Sequence, residues 1–228
     1  MILPLIYGVL LFLNHYISER ILRKYQHKTK LISFSAGVAV TYIILELLPT
    51  LSIAAEEIHE NLFVIVLLGI LSFHIMEKYF YKHSIKNKLR KQLKELHSIG
   101  FFVYHFIVGI ILAESVNRDL TEGTLFFIIL LFHNAVSGTS LSEIHAMVTE
   151  KGFVKTILAS STFLGVLLNV LYPIPSKIYF VLLAYLVGII LYTVFRESIP
   201  SGKEGSPTYF TAGVLIFTIL ILLTRSFF

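Results

Sequence analysis

The sequence predicts an all-α integral membrane protein in which one domain, residues 1–228, is a bundle of eight transmembrane helices. Composition is the first indication, since 56% of the residues are hydrophobic, only 14% are charged and the mean hydropathy is +0.80. A soluble domain carries roughly 25% charged residues. The second indication is a series of continuous apolar runs of roughly 20 residues, the length that crosses a bilayer core of about 30 Å as a helix. Transmembrane β-strands would instead alternate over about ten residues.

The eight predicted spans follow one another with short polar connections. The first has no basic start and no small-residue cleavage site, so we interpret it as a span and not as a signal peptide. The second and seventh each end in Glu-x-x-Pro, at Glu46 and Glu197, and the third and fourth are separated by the basic loop 81–97. The spans are about 1–17, 31–50, 61–80, 98–117, 124–147, 153–172, 177–196 and 208–227.

Composition also excludes several classes of function. The chain has no Cys, which removes disulfides, thiolate metal sites and cysteine nucleophiles. It has no Trp, so Tyr must supply the aromatic residues at the membrane surfaces. The net charge of +5 reflects the basic loops of a membrane protein and does not indicate nucleic acid as a partner.

The Lys and Arg residues predict the orientation of the chain. The connections after the odd-numbered spans hold 16 of them, and the connections after the even-numbered spans, with the C-terminal tail, hold three. Because basic loops stay in the cytoplasm, we expect a multi-pass protein of the cell membrane with both termini outside. Loop 81–97 is then cytoplasmic, either as a basic amphipathic helix on the inner leaflet or as a solvated linker.

Polar side chains within the spans are candidate functional residues, because lipid makes them costly unless they face the bundle interior. Span 5 is the richest: His133 and Asn134 lie mid-span, and Ser137 and Ser140 share a helix face with His133. Small residues and hydroxyls are also typical of helix packing in membranes, which leaves packing open for this face. Glu46 and Glu197 are either hydrated at the interface or stand at the mouths of a pathway.

Several local sequences, taken in order, resemble the ZIP family of divalent metal transporters. Ser35–Val38 followed by Glu46–Pro49 is similar to the family's second span, and Gly188–Tyr192 followed by Glu197–Pro200 to its seventh. Phe163–Leu168 resembles the Glu-Pro-Leu-Gly stretch of its sixth. Eight spans, external termini and a long loop between spans 3 and 4 agree with the family, so the resemblance covers essentially the whole chain.

The sequence departs from the family at the metal-binding motifs. Where the family's fourth span reads His-Asn-x-x-Asp-Gly, this chain has Tyr104–Gly109, with His105 in place of the Asn. Where the fifth reads His-Glu-x-x-Glu-Gly, the chain has His133–Gly138, which keeps only the His. The Glu of the sixth span aligns with Thr162. Zinc-type ions bind through imidazole and carboxylate, so we expect an altered, carboxylate-poor site and not the family's binuclear centre.

The resemblance implies transport of a divalent, zinc-type metal ion by alternating access. No cofactor is expected; Zn²⁺ or another divalent cation is the expected substrate, the lipid bilayer is the other partner, and a homodimer is compatible with the sequence. The assigned residues are His105 and His133 as metal ligands, Tyr104, Asn134, Ser137 and Thr162 as the lining of the path, and Glu46 and Glu197 at its mouths.

The missing carboxylates favour a second hypothesis. A ZIP-fold protein that has lost metal transport would act as a structural or regulatory membrane subunit, or would move another solute. An enzyme is not expected, because the chain has no nucleophile elbow and no Ser/His/Asp set.

Overall fold

The structure is a computed structural model that describes residues 2–22, 28–58, 61–83, 87–145, 152–195 and 205–227. No β-strand occurs within these ranges, which confirms the all-α prediction. A π-helical turn, Ile43–Leu47, joins α2 to α3, so the nine α-helices of the described part form eight rods. The helices are α1 Ile2–Leu22, α2 Lys28–Tyr42, α3 Leu48–Glu57, α4 Leu62–His83, α5 Asn87–Arg118, α6 Leu120–His145, α7 Gly152–Leu171, α8 Ser176–Thr193 and α9 Pro207–Phe227.

Five of these rods are long and apolar enough to cross a membrane. They contain the segments Thr29–Glu57, Leu62–Tyr79, Ser98–Arg118, Ser176–Thr193 and Pro207–Ser226. The other three carry shorter apolar stretches at Ile2–His15, Leu120–Asn134 and Thr156–Leu171, counted over the described residues alone. The outer faces of α4 and α9 are apolar, with Leu67 63% and Leu222 55% exposed, as expected for helices in contact with lipid.

The connection predicted at 81–97 is largely helical. Helix α4 continues to His83, and α5 begins at Asn87 and runs without interruption into span 4. Of the two forms that the sequence left open for this segment, the described residues 81–83 and 87–97 have the helical one; a position on the inner leaflet stays a prediction. The physical reason is that the segment contains neither Gly nor Pro and is rich in Leu and Lys, which favour helix.

Span 2 was expected to end near residue 50, but the helix continues across Pro49 to Glu57. Proline has no backbone N–H, so the carbonyl of Leu45, four residues earlier, loses its helical donor. The π-helical turn lies at this point, where the N–H of Leu48 bonds the carbonyl of Ile43. The guanidinium of Arg225 on α9 donates to the Leu45 carbonyl and replaces the missing bond.

Helices α5 and α7 cross in direct backbone contact. A Cβ atom on Gly109 would overlap the carbonyl oxygen of Thr162, and one on Gly165 would overlap that of Phe106. Only glycine fits at these two positions. Small residues such as glycine typically allow helices in membranes to approach closely. The contact brings Thr162 of α7 beside α5 in the centre of the bundle.

The same close packing recurs at two other helix pairs. Gly37 and Gly213 bring α2 against α9, and Gly69 and Gly188 bring α4 against α8. A Cβ on any of the four would overlap backbone atoms of the partner helix. Gly188 lies 151 residues after Gly37, and Gly213 lies 144 residues after Gly69. The α4–α8 contact therefore repeats the α2–α9 contact at equivalent positions of the two halves.

The repeat extends to individual contacts. The carbonyl of Phe210 faces Gly37, and the carbonyl of Val66, which is 144 residues before Phe210, faces Gly188. Helices α2–α3 and α4 therefore correspond to α8 and α9. Helices α1 and α7 precede them in the two halves, and α5 and α6 lie between the halves in the sequence.

Both halves also interrupt the equivalent helix at the equivalent residue. The π-helical turn of the first half begins at Ile43, and π-helical backbone begins again at Val194, 151 residues later. In each half a proline follows six residues after this start, at Pro49 and at Pro200, the latter outside the described residues. The interruption is thus a property of the repeat and not a local accident.

The two halves have opposite directions. Helix α9 ends beside the π-helical turn that follows α2, because Arg225 of α9 forms an ion pair with Glu46 of this turn at 3.2 Å. Helix α8, the counterpart of α2, begins at that same end of the bundle: its Tyr179 lines one cleft with Glu46 and shares a 3.0 Å hydrogen bond with Ser115 near the end of α5. The fold is therefore an inverted repeat.

The α5–α7 crossing can be tested with two alanine substitutions on one helix. Gly109→Ala places a Cβ against rigid backbone, and we expect a loss of about 3 kcal/mol, the upper end of the usual cost of overpacking. Thermal unfolding of the purified protein in detergent measures it. Gly100→Ala is the matched control, because its Cβ meets only the flexible side chain of Met76 at 2.9 Å. Equal melting temperatures for the two variants would contradict the crossing.

Candidate functional site

Polar side chains form two layers in the bundle. The first, the histidine cluster, consists of His15, Tyr104, His105, His133, Asn134 and Thr162. The second, the acidic cleft, is lined by the polar residues Tyr42, Glu46, Thr50, Ser115, Glu122 and Tyr179. Ten helical residues separate His105 from Ser115 on α5, so the two layers are roughly 15 Å apart along that helix.

His105 is the most buried imidazole of the cluster. It is 2% exposed, and its Nδ1 lies 3.4 Å from Oγ1 of Thr162 on α7. Its Nε2 has no hydrogen-bond partner among the residues that the structure describes. An unpaired buried polar atom costs about 1–3 kcal/mol, so such an atom in a native protein calls for an explanation such as a ligand or a water.

Tyr104 connects the two predicted metal ligands. Its hydroxyl shares a 3.1 Å hydrogen bond with Nε2 of His133 on α6, and both residues are buried. Its ring lies 4.8 Å from the ring of His105, in an edge-to-face arrangement. Asn134, next to His133, is 1% exposed. The structure thus brings together five of the residues selected from the sequence: His105, His133, Tyr104, Asn134 and Thr162.

His15 on α1 is a member of the cluster that sequence reasoning missed. Its ring centroid lies 5.7 Å from that of His105, and Phe101 packs against both rings. The neighbouring Asn14 donates to the carbonyl of Leu131 at 2.8 Å, which holds α1 against α6. The available signal was the polar pair Asn14–His15 near the end of an apolar run of the first span.

The remaining predicted residues are not part of this cluster. Ser137 lies on α6, and its side chain is outside the described part of the structure. Glu197 lies outside the described residues altogether. Glu46 lies in the other layer, in the acidic cleft, where it pairs with Arg225.

The histidine cluster presents neutral donors. Its six side chains supply imidazole nitrogens, a phenol, an amide and a hydroxyl, and none is a carboxylate. In the described ranges no three His, Cys, Asp or Glu side chains are grouped so that they could hold a metal ion. With the side chains as they stand, the cluster offers at most paired imidazoles to a cation.

A third polar group links α5 to α7 at the end of the bundle that holds the cleft. Glu114 is 8% exposed and accepts hydrogen bonds from Arg118 and from Nδ2 of Asn169, each at 3.1 Å. The Oδ1 atom of Asn169 accepts the N–H of Ile174 at 3.2 Å, just after the end of α7. Since every polar atom here serves a structural bond, this group stabilises the fold.

Comparison with known proteins identifies no family. A search of protein-family models found no match. The chain is 26% identical over 180 residues to an uncharacterized protein of Methanocaldococcus jannaschii, a match that covers 74% of this chain and 71% of that protein. Because the relative is itself uncharacterized, the similarity points to no activity.

The Glu114–Asn169 bond predicts a stability change. Asn169→Ala removes the donor to a buried carboxylate, and hydrogen bonds to charged groups contribute about 1.5–3 kcal/mol each. We expect a loss of stability of that size in detergent unfolding, without loss of the histidine cluster. The control is Asn117→Ala on α5, an exposed asparagine whose removal should change stability by less than about 0.5 kcal/mol. A similar, small effect of both substitutions would show that the bond contributes little.

Proposed function

We propose that this chain is a membrane transporter of a divalent, zinc-type metal ion, similar in architecture to the ZIP family, with a carboxylate-poor central site. The observation that carries the proposal is an inverted repeat that encloses buried imidazoles. Secondary transporters are commonly built from inverted repeats, with the substrate site near the midplane between the halves.

The interrupted helices support the same function. In transporters, helices broken by proline or glycine at corresponding positions of the two halves point to the binding site and its approach. Here the break follows Gly37 and surrounds Glu46 in the first half, and it recurs after Gly188 in the second. The carboxylate of Glu46 next to one break suits the attraction of cations.

Imidazole chemistry selects the class of ion. Neutral imidazole nitrogen binds Zn²⁺ and other borderline transition metals well, whereas Mg²⁺ and Ca²⁺ prefer oxygen. Two imidazoles that share a zinc ion at 2.0–2.1 Å have ring centroids roughly 5 Å apart. The rings of His15 and His105 are 5.7 Å apart, so small side-chain rotations would let both reach one ion.

In the proposed cycle the ion replaces internal contacts of the cluster. The Tyr104–His133 hydrogen bond holds the ligand nitrogen of His133 when no ion is present. An arriving ion takes this nitrogen together with Nε2 of His105, which has no partner in the described structure. Rocking of one half of the repeat against the other then opens the site to the opposite side.

One observation favours the alternative, a protein that no longer transports metal. The Tyr104–His133 bond already satisfies the atom that would bind the ion, and the cluster has no carboxylate to compensate a double positive charge. In that case the cluster would hold α5 and α6 together, and the protein would serve as a membrane subunit or would move another solute.

Zinc binding distinguishes the metal transporter from a protein that has lost metal transport. We expect Zn²⁺ at a concentration 100 times its Kd to stabilise the detergent-purified protein by about 2.7 kcal/mol, and to enter liposomes that contain it. His105→Ala and His133→Ala should each weaken binding about 10-fold or more, because each removes a ligand. Calorimetric titration and metal flux measure both effects.

The control is His74→Ala, since His74 lies outside the cluster on α4 and bonds Tyr192 at 3.3 Å. This variant should bind and transport zinc as the unmodified protein does. If the unmodified protein neither binds nor transports zinc, the transporter proposal is wrong and the subunit alternative gains support.

The proposed orientation, with both termini outside, has a direct test because the chain contains no cysteine. Glu56→Cys at the end of α3 and Lys82→Cys at the end of α4 each introduce one exposed thiol. A membrane-impermeant maleimide added to intact cells should label the first and not the second. Labelling of the second alone would reverse the orientation.

A further inference from the structure

The ring and the hydroxyl of Tyr104 make separate contacts in the histidine cluster. The ring packs edge to face against Phe73 of α4 and His105 of α5, with centroids 5.8 and 4.8 Å away. The hydroxyl shares a 3.1 Å hydrogen bond with Nε2 of His133, which connects α5 to α6. Because the ring contacts do not involve the hydroxyl, a phenylalanine at this position would keep them and would lose only the bond.

The bond between Tyr104 and His133 uses a nitrogen that a metal ion would need. A zinc ion coordinates the lone pair of an imidazole nitrogen. In either tautomer of the imidazole, the hydrogen bond must break before the lone pair of Nε2 can face the ion. Both residues are buried, so the bond lies where hydrogen bonds are strongest and water does not readily replace a lost partner. The Tyr104 hydroxyl and an ion at this nitrogen therefore exclude each other.

His105 is in the opposite situation. Its Nε2 has no hydrogen-bond partner among the residues that the structure describes, and its Nδ1 lies 3.4 Å from Oγ1 of Thr162. An ion can bind this Nε2 without displacing a described group. The two predicted ligands are thus unequal, because the nitrogen of His105 is open to the ion and that of His133 is held by Tyr104.

We propose that Tyr104 sets the affinity of the histidine cluster for its metal ion, because its hydroxyl competes with the ion for Nε2 of His133. This inference rests on the function proposed above. The ion binds His105 first and gains His133 only when the hydroxyl leaves. Since the broken bond joins α5 to α6, binding also removes one connection between these two helices. The competition keeps the site weak enough to release its ion, as passage through a membrane requires.

Calorimetric titration of the full-length, detergent-purified protein with Zn²⁺ tests the competition. Tyr104→Phe removes the hydroxyl and keeps the ring, so it should tighten Zn²⁺ binding about 10-fold, because no hydrogen bond then has to break. The matched control is Tyr185→Phe, which removes a phenol hydroxyl bonded to Ser72 at 2.9 Å between α8 and α4, and it should leave the affinity unchanged. In a His133→Ala background, Tyr104→Phe should no longer change the affinity, because the contested nitrogen is absent.

The outcomes distinguish this inference from the proposed function. If Tyr104→Phe binds Zn²⁺ no more tightly than the unmodified protein, or tightens binding equally without His133, the competition does not exist, while zinc transport stands. If Tyr104→Phe binds Zn²⁺ and the unmodified protein does not, the competition is supported and the transport proposal is wrong. If neither protein binds Zn²⁺, both proposals are wrong.

A second measurement uses the unmodified protein alone, so it decides even if the Tyr104 variant fails to fold. The infrared difference spectrum on addition of Zn²⁺ should show a shift of a tyrosine C–O stretching band, because the hydroxyl loses its imidazole partner. Binding of Zn²⁺ without a change in any tyrosine band would show that the hydrogen bond stays intact and would overturn the proposal.

Discussion

The contact of α5 with α7 at Gly109 and Gly165 is the constraint on which the polar interior depends. Because neither glycine has a side chain, the two helices meet backbone to backbone. On one side of the crossing, Thr162 reaches His105; on the other, Asn169 bonds Glu114. The histidine cluster lies beside this crossing, and the acidic cleft lies toward the end of the bundle that the Glu114 bonds secure. A wider separation of the helices would remove both bonds.

The inverted repeat places this helix pair within a framework that has two equivalent halves. Glycine contacts hold α2 to α9 and α4 to α8 in the same manner, and each half interrupts its second helix with π-helical backbone. In the first half Pro49 leaves the carbonyl of Leu45 without its helical donor. Arg225 donates to this carbonyl and also forms an ion pair with Glu46. The interruption therefore couples the end of α9 to the cleft, so a movement of α9 would change the charge that the cleft presents.

Hydropathy was sufficient to predict the helices, because long apolar runs in lipid leave the backbone no other hydrogen-bonding arrangement. It could not show that Asn87 starts a helix continuous with span 4, since that segment is polar and depends on propensity. In the site, His105, Tyr104 and His133 were predicted because they interrupt apolar runs mid-span. His15 and the Arg225–Glu46 pair were missed, since both arise from contacts between helices far apart in the sequence. Ser137 and Glu197 stay predictions.

The proposed function requires the buried imidazoles of α1, α5 and α6 to receive a metal ion. An anomalous difference map at the zinc absorption edge, from crystals of the full-length protein equilibrated with Zn²⁺, shows whether they do. We expect one strong peak within bonding distance of a ring nitrogen of His105, about 2.0–2.1 Å, with His133 or His15 as a second ligand. A map with no peak between these helices, or with a peak only in the acidic cleft, would show that these imidazoles do not hold the ion.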